Sequence, residues 1–534
     1  MRKQPSEDRL SWGDSVFLNL EREGMPLNVA CLSVFEGDLS FDEYLHFVES
    51  RLPLIPRYLK RVVAPPLNAG LPNWDYDPDF DIRNHIREAT LKHGTEAELK
   101  ALTGKLLGKV MDRQRPLWDM TLVRGLKGNR TALVARMHHC LADGIAGVGI
   151  MSVLMDPSPA VPTLPKRKRP FRIPAPLDPL SSLVESLTSS YSSFMDRALS
   201  AWANMLNITE RTLANGANPP SDEASRLMPE VTAPTERLFF NTIYRGPQKF
   251  ACTEIALDEI KAIRQTCGAS VNDVLLTLVT ATIRRYSELH GDRVKGRLFR
   301  VMVPVNLRGN DTGPSQLGNC ISLVPVTIPL DIRNPKKLLT AVHRRTEFLK
   351  RAHAAEFVSL ASGLIAVLPN PLQAFLGPQI SRLPITPFNM VCTNVPGPQF
   401  PLYLFGHKML QWYPYVPIGG ELALNCAILS YNGMVYFGFS GDVHISPDLN
   451  RLEKFLKLSL SELREAVGLS PSPKKPQRKR SAPKQRKNEE TSTPSATQTL
   501  RVPIELPAQQ PAVKSADAPR PISEEKPVLM QQTA

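Results

Sequence analysis

The sequence predicts an α/β protein, α+β in the way its elements are grouped, built from two lobes. Three observations lead there. Its 534 residues exceed what one ordinary hydrophobic core holds, so two domains of roughly 150–250 residues are expected. Strand-like and helix-like segments alternate in each half of the chain. Between the halves, residues 157–232 change character, with prolines at 157, 159, 162, 165, 170, 174 and 176 surrounding the basic residues Lys166 to Arg169 and Arg172.

The elements follow in order. In the first lobe, residues 1–156, the stretch 29–35 has strand composition, and 41–52 and 96–111 carry the spacing of amphipathic helices. The run 131–137 is nearly all apolar and reads as a buried strand. The crossover, 157–232, is proline-rich and then helical over 180–213, and is expected to be partly disordered. In the second lobe, 233–468, a helix is predicted over 269–286, with Ser270 as its N-cap and Asp273 as the carboxylate three residues on. Strands are expected at 300–305, 321–328, 388–393, 422–430 and 434–440, and a closing helix at 447–467. Residues 469–534 lack hydrophobic periodicity and cannot bury enough surface to offset ordering their backbone, so a disordered tail is predicted.

Composition narrows the classes. An apolar fraction of 42% with 22% charged residues is that of a globular protein. The net charge of +14 is uneven: from residue 470 onward there are 12 Lys/Arg against 6 Asp/Glu, so the folded part is only mildly basic. Seven cysteines stand singly without a CxxC pair, which argues for free thiols in a reducing compartment and against a disulfide scaffold. The charged N-terminus does not read as a signal peptide. The long uncharged stretch 357–381 is broken by Pro369, Asn370, Pro371 and Pro378, so a spanning helix is not expected. A buried helix and loop, or a lipid-facing surface, both remain open for it.

The chemistry concentrates in His138-His139-Cys140-Leu141-Ala142-Asp143-Gly144. It follows one apolar run and precedes another (145–155), which reads as strand, tight loop and helix. Successive side chains on a strand point to opposite sides, so His138 and His139 are not expected to share a task. An imidazole titrates near neutrality and can take a proton from a hydroxyl and return it to a leaving group. Asp143 can orient that imidazole or pair with a distant arginine. No third or fourth ligand group stands out, so no metal site is predicted. No GxSxG elbow occurs, which disfavours a serine triad.

HHxxxDG is the signature of the chloramphenicol acetyltransferase-like, CoA-dependent acyltransferases, and the remainder of the chain resembles the wax ester synthase/diacylglycerol acyltransferase family. The pieces that carry the resemblance are Leu10-Ser11 with Asp14 and Phe17, then Pro116-Leu117-Trp118. They continue with Ser270-Val271-Asn272-Asp273, the run Val303-Pro304-Val305-Asn306-Leu307-Arg308, and Leu317-Gly318-Asn319. Thr393-Asn394-Val395-Pro396-Gly397-Pro398 and Ser430-Tyr431-Asn432-Gly433 complete the set, which spans about residues 10–467. Each later motif alone is weakly specific; their order and spacing together are not.

The resemblance implies two chloramphenicol acetyltransferase-like lobes, each a mixed sheet flanked by helices, with a tunnel between them. It implies an acyl-CoA-dependent diacylglycerol O-acyltransferase or long-chain-alcohol O-fatty-acyltransferase, making triacylglycerol or wax esters. His139 is then the proton acceptor and His138 a supporting residue. Asp143 anchors the loop by pairing with Arg308, and Gly144 forms the motif turn. Asn272 is a candidate oxyanion donor, with helix capping as the competing role. Asn394 is a second candidate, with turn chemistry as its competitor. Trp118 packs behind the motif strand, and Pro116 shapes its approach.

No cofactor is expected beyond acyl-CoA as co-substrate. The expected setting is cytoplasmic, with peripheral contact to membrane or lipid inclusions. Residues 474–487 hold eight Lys/Arg suited to an anionic lipid surface, and nucleic acid is not expected because no aromatic residues interleave them. Two rivals stand beside this reading: a condensation-type enzyme using carrier-bound acyl groups, and a non-catalytic lipid-binding or inclusion-coating protein.

Overall fold

A computed structural model of the chain describes residues 8–65, 70–161, 235–306, 321–351 and 388–469, together with positions 372, 375, 376 and 379. The predicted 180–213 helix, most of the 357–381 stretch, Arg308 and the tail from 470 onward lie outside the described residues.

The first half of the chain runs α1 (Trp12–Leu20), β1 (Asn28–Glu36), α2 (Phe41–Arg51), β2 (Lys60–Val63), β3 (Asn73–Tyr76), β4 (Ile86–Thr90), α3 (Glu96–Leu107), β5 (Trp118–Leu126), β6 (Arg130–His138) and α4 (Gly144–Val153). The second half runs β7 (Gln248–Ala256), α5 (Leu257–Cys267), α6 (Val271–Leu289), β8 (Leu298–Asn306), β9 (Ile321–Pro329), α7 (Pro335–Arg351) and β10 (Met390–Pro396). It closes with β11 (Tyr403–Leu404), β12 (His407–Tyr415), β13 (Leu424–Tyr431), β14 (Met434–Asp442) and α8 (Arg451–Ala466). The predicted strands and helices appear within a few residues of their expected ends. Helix α3 stops at Leu107 instead of residue 111, because the following loop is fixed elsewhere: Arg136 Nη1 and Asn28 Nδ2 both donate to the Lys109 carbonyl, at 3.0 and 2.9 Å.

Two six-stranded sheets result, ordered β11-β12-β1-β6-β5-β4 and β7-β14-β13-β10-β8-β9. Both are mixed. β4 runs parallel to β5, and β10 runs parallel to both β8 and β13, while the other pairings are antiparallel. β6 sits inside its sheet between β1 and β5, and all of its residues after Arg130 are buried, which explains why its run is nearly all apolar. β13 and β14 join through Asn432 and Gly433, both with positive φ (46° and 76°), the two-residue turn whose twist matches a right-handed hairpin. Helix α6 is buried along most of its length in the second core. Among the described residues no single helix is long and apolar enough to cross a membrane; α5 and α6 reach that length only together, across a 105° bend.

The expected lobe boundaries need one correction. Residues 233–468 do not all stay in the second lobe as the sequence predicts, because β11 and β12 leave it to complete the first sheet. β12 pairs with β1 from Ala30–Tyr415 to Phe35–Met409. Its side chains also reach the second sheet. Tyr415 Oη donates to Gln248 Oε1 at 2.5 Å, and Tyr413 Oη donates to Glu254. In return Tyr436 Oη donates to Leu410 O at 3.1 Å, and Ser440 Oγ donates to the Val416 carbonyl just beyond the strand at 2.7 Å. A local hydrophobic pattern shows that a strand exists, but not which sheet adopts it.

At the tightest point of this crossing, Gly438 of β14 lies against the Pro414 carbonyl, where a Cβ would overlap the oxygen. A backbone carbonyl in a paired strand cannot swing aside. Gly438→Ala is therefore expected to force β12 and β14 apart and to destabilise the protein by about 1–3 kcal/mol. Thermal unfolding measures this; a midpoint within about 1 °C of the unsubstituted protein would contradict the close approach.

Candidate active site

The HHxxxDG segment begins where β6 ends. His138 is the last strand residue, paired in register with Asn28, and is fully buried. The chain then turns: Leu141 N–H donates to the His138 carbonyl at 2.9 Å. His139 is one residue past the strand. Its N–H still reaches the Leu27 carbonyl at 2.9 Å, extending the β1–β6 ladder by one bond. The two histidines differ as strand alternation requires: His138 points inward, while His139 keeps partial exposure with its Nδ1 buried. The imidazole of His139 stacks on Phe17 with ring centres 4.0 Å apart and planes 5° from parallel.

Phe17 is delivered by α1, and the start of that helix is secured by the Ser11/Asp14 pair. Asp14 N–H donates to Ser11 Oγ at 3.0 Å, and Ser11 N–H returns a bond to Asp14 Oδ2. At its other end stands Glu21, which the sequence reading did not single out. Its side chain has no solvent exposure. Oε1 accepts from Leu27 N–H at 3.2 Å and lies 3.4 Å from His138 Nε2, while Oε2 receives Arg113 Nη2 at 3.2 Å. Burial on its own pushes the Glu21 carboxyl up, but His138, Leu27 N–H and Arg113 outweigh it and hold the group below the ordinary glutamate range. A signal was present: a glutamate at a helix C-terminus opposes the helix dipole, so it needs a specific partner.

Asp143 is fully buried and N-caps α4, its Oδ1 accepting from Ala146 N–H at 2.9 Å. Its expected partner Arg308 is outside the described residues, so the visible role of Asp143 is the cap. Gly144 meets the second lobe directly. A Cβ there would come within 2.9 Å of Val395 Cγ2 on β10. The preceding residue on that strand is Asn394, whose Nδ2 donates to Asn272 Oδ1 at 3.4 Å. The two candidate oxyanion residues, 122 positions apart, thus touch each other where the start of α6 meets the strand that approaches the motif.

The competing roles for these asparagines sort out in space. Capping of α6 belongs to the neighbours of Asn272. Ser270 Oγ accepts from Asp273 N–H at 3.1 Å, and Asp273 Oδ2 accepts from Ser270 N–H at 2.8 Å. Asn272 itself is turned toward β10. Asn394 lies within a paired strand, opposite Ile428, and not in the turn that the nearby Pro396 and Gly397 suggested. Asp273 also accepts from Thr346 Oγ1 at 2.6 Å and contacts His343 Nδ1 at 2.9 Å, which ties α6 to α7.

Behind the motif, Trp118 stacks between Tyr58 and His85, each 4.5 Å away, and its Nε1 donates to the Tyr58 carbonyl at 2.8 Å. Trp118 opens β5 opposite Met137. Its place is packing, one layer from the histidines. Leu117 O receives the His138 N–H at 2.9 Å, which gives the Pro116-Leu117-Trp118 run a direct hold on the motif.

A partly exposed histidine on a rigid frame, a buried histidine–glutamate pair beside it, and a paired amide site on the facing lobe fit an acyltransferase of the two-lobed, HHxxxDG type. The chain belongs to the wax ester synthase/diacylglycerol acyltransferase family. The catalytic domain of that family matches residues 10–275, and its C-terminal domain matches residues 317–464. Among curated relatives, the probable diacylglycerol O-acyltransferase tgs1 of Mycobacterium tuberculosis is 28% identical over 463 residues, covering 84% of this chain and 94% of the relative. The tgs2 protein of the same organism is 28% identical over 480 residues, covering 86% and 100%. Among solved structures, the wax ester synthase/diacylglycerol acyltransferase of Marinobacter aquaeolei shares the fold with a TM-score of 0.59 at 24% identity, covering 86% of this chain and all of that one. The first condensation domain of the calcium-dependent antibiotic synthetase shares it at a TM-score of 0.55 and 14% identity, covering 87% and 98%. These relatives do not favour the non-catalytic reading.

Asp273 generates a pH prediction. Burial pushes its carboxyl up, but the bonds from Thr346, Ser270 N–H and His343 pull it below the ordinary aspartate value of 3.8. A carboxylate with a depressed folded pKa stabilises fully above its unfolded pKa, and that contribution is lost as pH falls through the folded value. The stability gap between wild type and Asp273→Asn is expected to be widest near neutrality and to close below about pH 4. Denaturant melts at stepped pH test it; a gap constant down to about pH 3 would contradict it.

Proposed function

We propose that this chain transfers a fatty acyl group from acyl-CoA to the hydroxyl of diacylglycerol or of a long-chain alcohol. The observation that carries the reading is His139, partly exposed, its imidazole stacked flat on Phe17 and its backbone N–H held by the Leu27 carbonyl. His139 removes the acceptor hydroxyl proton as the oxygen attacks the thioester carbonyl. The tetrahedral intermediate collapses, the carbon–sulfur bond breaks, and the imidazolium returns its proton to the CoA thiolate. An ester and free CoA result, with no acyl-enzyme. The amides of Asn272 and Asn394 are the donors proposed for the developing oxyanion. The names of the relatives support neutral-lipid acceptors.

In this reading no cofactor takes part beyond the CoA of the donor, and no nucleic acid is a partner. The enzyme works from the cytoplasm at a membrane or lipid-inclusion surface, where its substrates dissolve. The basic run 474–487 supplies the charge for an anionic surface.

Purified protein incubated with labelled palmitoyl-CoA and either diolein or hexadecanol tests this. Triacylglycerol or wax ester is expected, and His139→Ala is expected to lose about 10²–10⁴-fold in turnover while unfolding as the wild type does. Wild-type turnover by folded His139→Ala protein would remove His139 from the role.

A further inference from the structure

Every element that fixes His139 leads back to Glu21. Glu21 ends the helix that carries Phe17, its own N–H donating to the Phe17 carbonyl at 3.1 Å. Its Oε1 accepts from Leu27 N–H, and the carbonyl of that same residue accepts from His139 N–H. The third route runs through His138. Cys140 N–H donates to His138 Nδ1 at 3.0 Å, so Nδ1 is an acceptor and the ring proton of neutral His138 belongs on Nε2, which faces Glu21 Oε1. Cys140 and His138 flank His139, so this bond closes the backbone around it. Arg113 fixes the arrangement from outside, with Nη2 donating to both Glu21 Oε2 and the Leu18 carbonyl at 2.7 Å.

We propose that Glu21 is a positioning residue for acyl transfer: through the Nε2–H of His138 and through Leu27 it sets the backbone that presents His139. The carboxylate never meets substrate. It accepts hydrogen bonds from Leu27 N–H and Arg113 Nη2 and faces His138 Nε2 at 3.4 Å, a set that an amide cannot match, because one of its two polar atoms would become a donor. Glu21→Gln keeps the volume and one acceptor. It sets an N–H against either Arg113 or the His138 Nε2–H. His138 cannot answer by moving its proton to Nδ1, because Nδ1 would then oppose the Cys140 N–H. The cost falls on the turn that holds His139.

This inference rests on the reading of His139 as the base, and its test separates the two. ¹⁵N-histidine NMR of the full-length protein reads the His138 tautomer without any turnover. The Nε2–H form is expected in wild type, and an Nδ1–H form would overturn the proposal. In the acyl-transfer assay, Glu21→Gln is expected to lower kcat by about 10–100-fold with KM within about threefold, since a displaced base affects chemistry more than substrate binding. Glu21→Asp keeps the charge on a shorter stem and is expected to recover part of the lost rate; it also serves if the glutamine variant folds poorly. In a His138→Ala background, Glu21→Gln is expected to cost less than about a third of its effect in wild type, because the two act as one unit. Unchanged kcat in folded Glu21→Gln protein, or losses that simply multiply in the double variant, would refute the positioning role. An inactive wild type with the expected tautomer would instead refute the acyl-transfer reading alone.

Discussion

His139 stands one residue beyond the end of its strand, where a sheet no longer holds it on both sides. What replaces the sheet is a frame of three contacts: the Leu27 carbonyl on its N–H, the Phe17 ring under its imidazole, and the His138–Cys140 bond across its backbone. Each comes from a different part of the chain, and each is itself fixed. In the proposed reaction a rigid frame matters because general-base transfer requires the ring nitrogen to stay within hydrogen-bond reach of the acceptor hydroxyl. The buried Glu21 carboxylate at the hub of this frame is tolerable only because charged and polar partners surround it.

The second requirement is that the facing lobe arrive at the right distance. β12 provides for this by packing in the first core while its side chains and backbone bond to the second sheet. It is hydrogen-bonded into the first sheet while its tyrosines and the Pro414 carbonyl press on β7 and β14 of the second. Close packing transmits such a contact with little slack. The facing lobe meets the motif at Gly144, where a Cβ would lie within 2.9 Å of Val395 Cγ2. Asn394 stands next to Val395 on β10 and meets Asn272 at the start of α6.

Much of this was legible in the sequence. The apolar run 131–137 and the glycine after Asp143 marked strand, turn and helix, and β6 and α4 fall there. Ser270 and Asp273 marked the start of α6, and the capping box is present. What the sequence concealed were facts of partnership. Nothing local assigned β12 to the first sheet, since its pairing with β1 joins residues hundreds of positions apart. Asn272 and Asn394 can each be suspected from their motifs, but their contact cannot, and the turn that Pro396 and Gly397 announce lies further along than Asn394. Glu21 looked like one more charged residue at a helix end. Its burial depends on Arg113, His138 and Leu27 converging on it, which no spacing rule encodes.

In the proposed reaction the stacking frame, and not the presence of an imidazole alone, makes His139 competent. Phe17→Leu tests it most directly, because leucine keeps an apolar side chain in place while removing the flat surface under the ring. Single-turnover acyl transfer by the folded variant should fall by about tenfold or more with substrate affinity and melting temperature near those of wild type, as expected when a reacting group loses its alignment. A single-turnover rate equal to that of wild type would contradict the account.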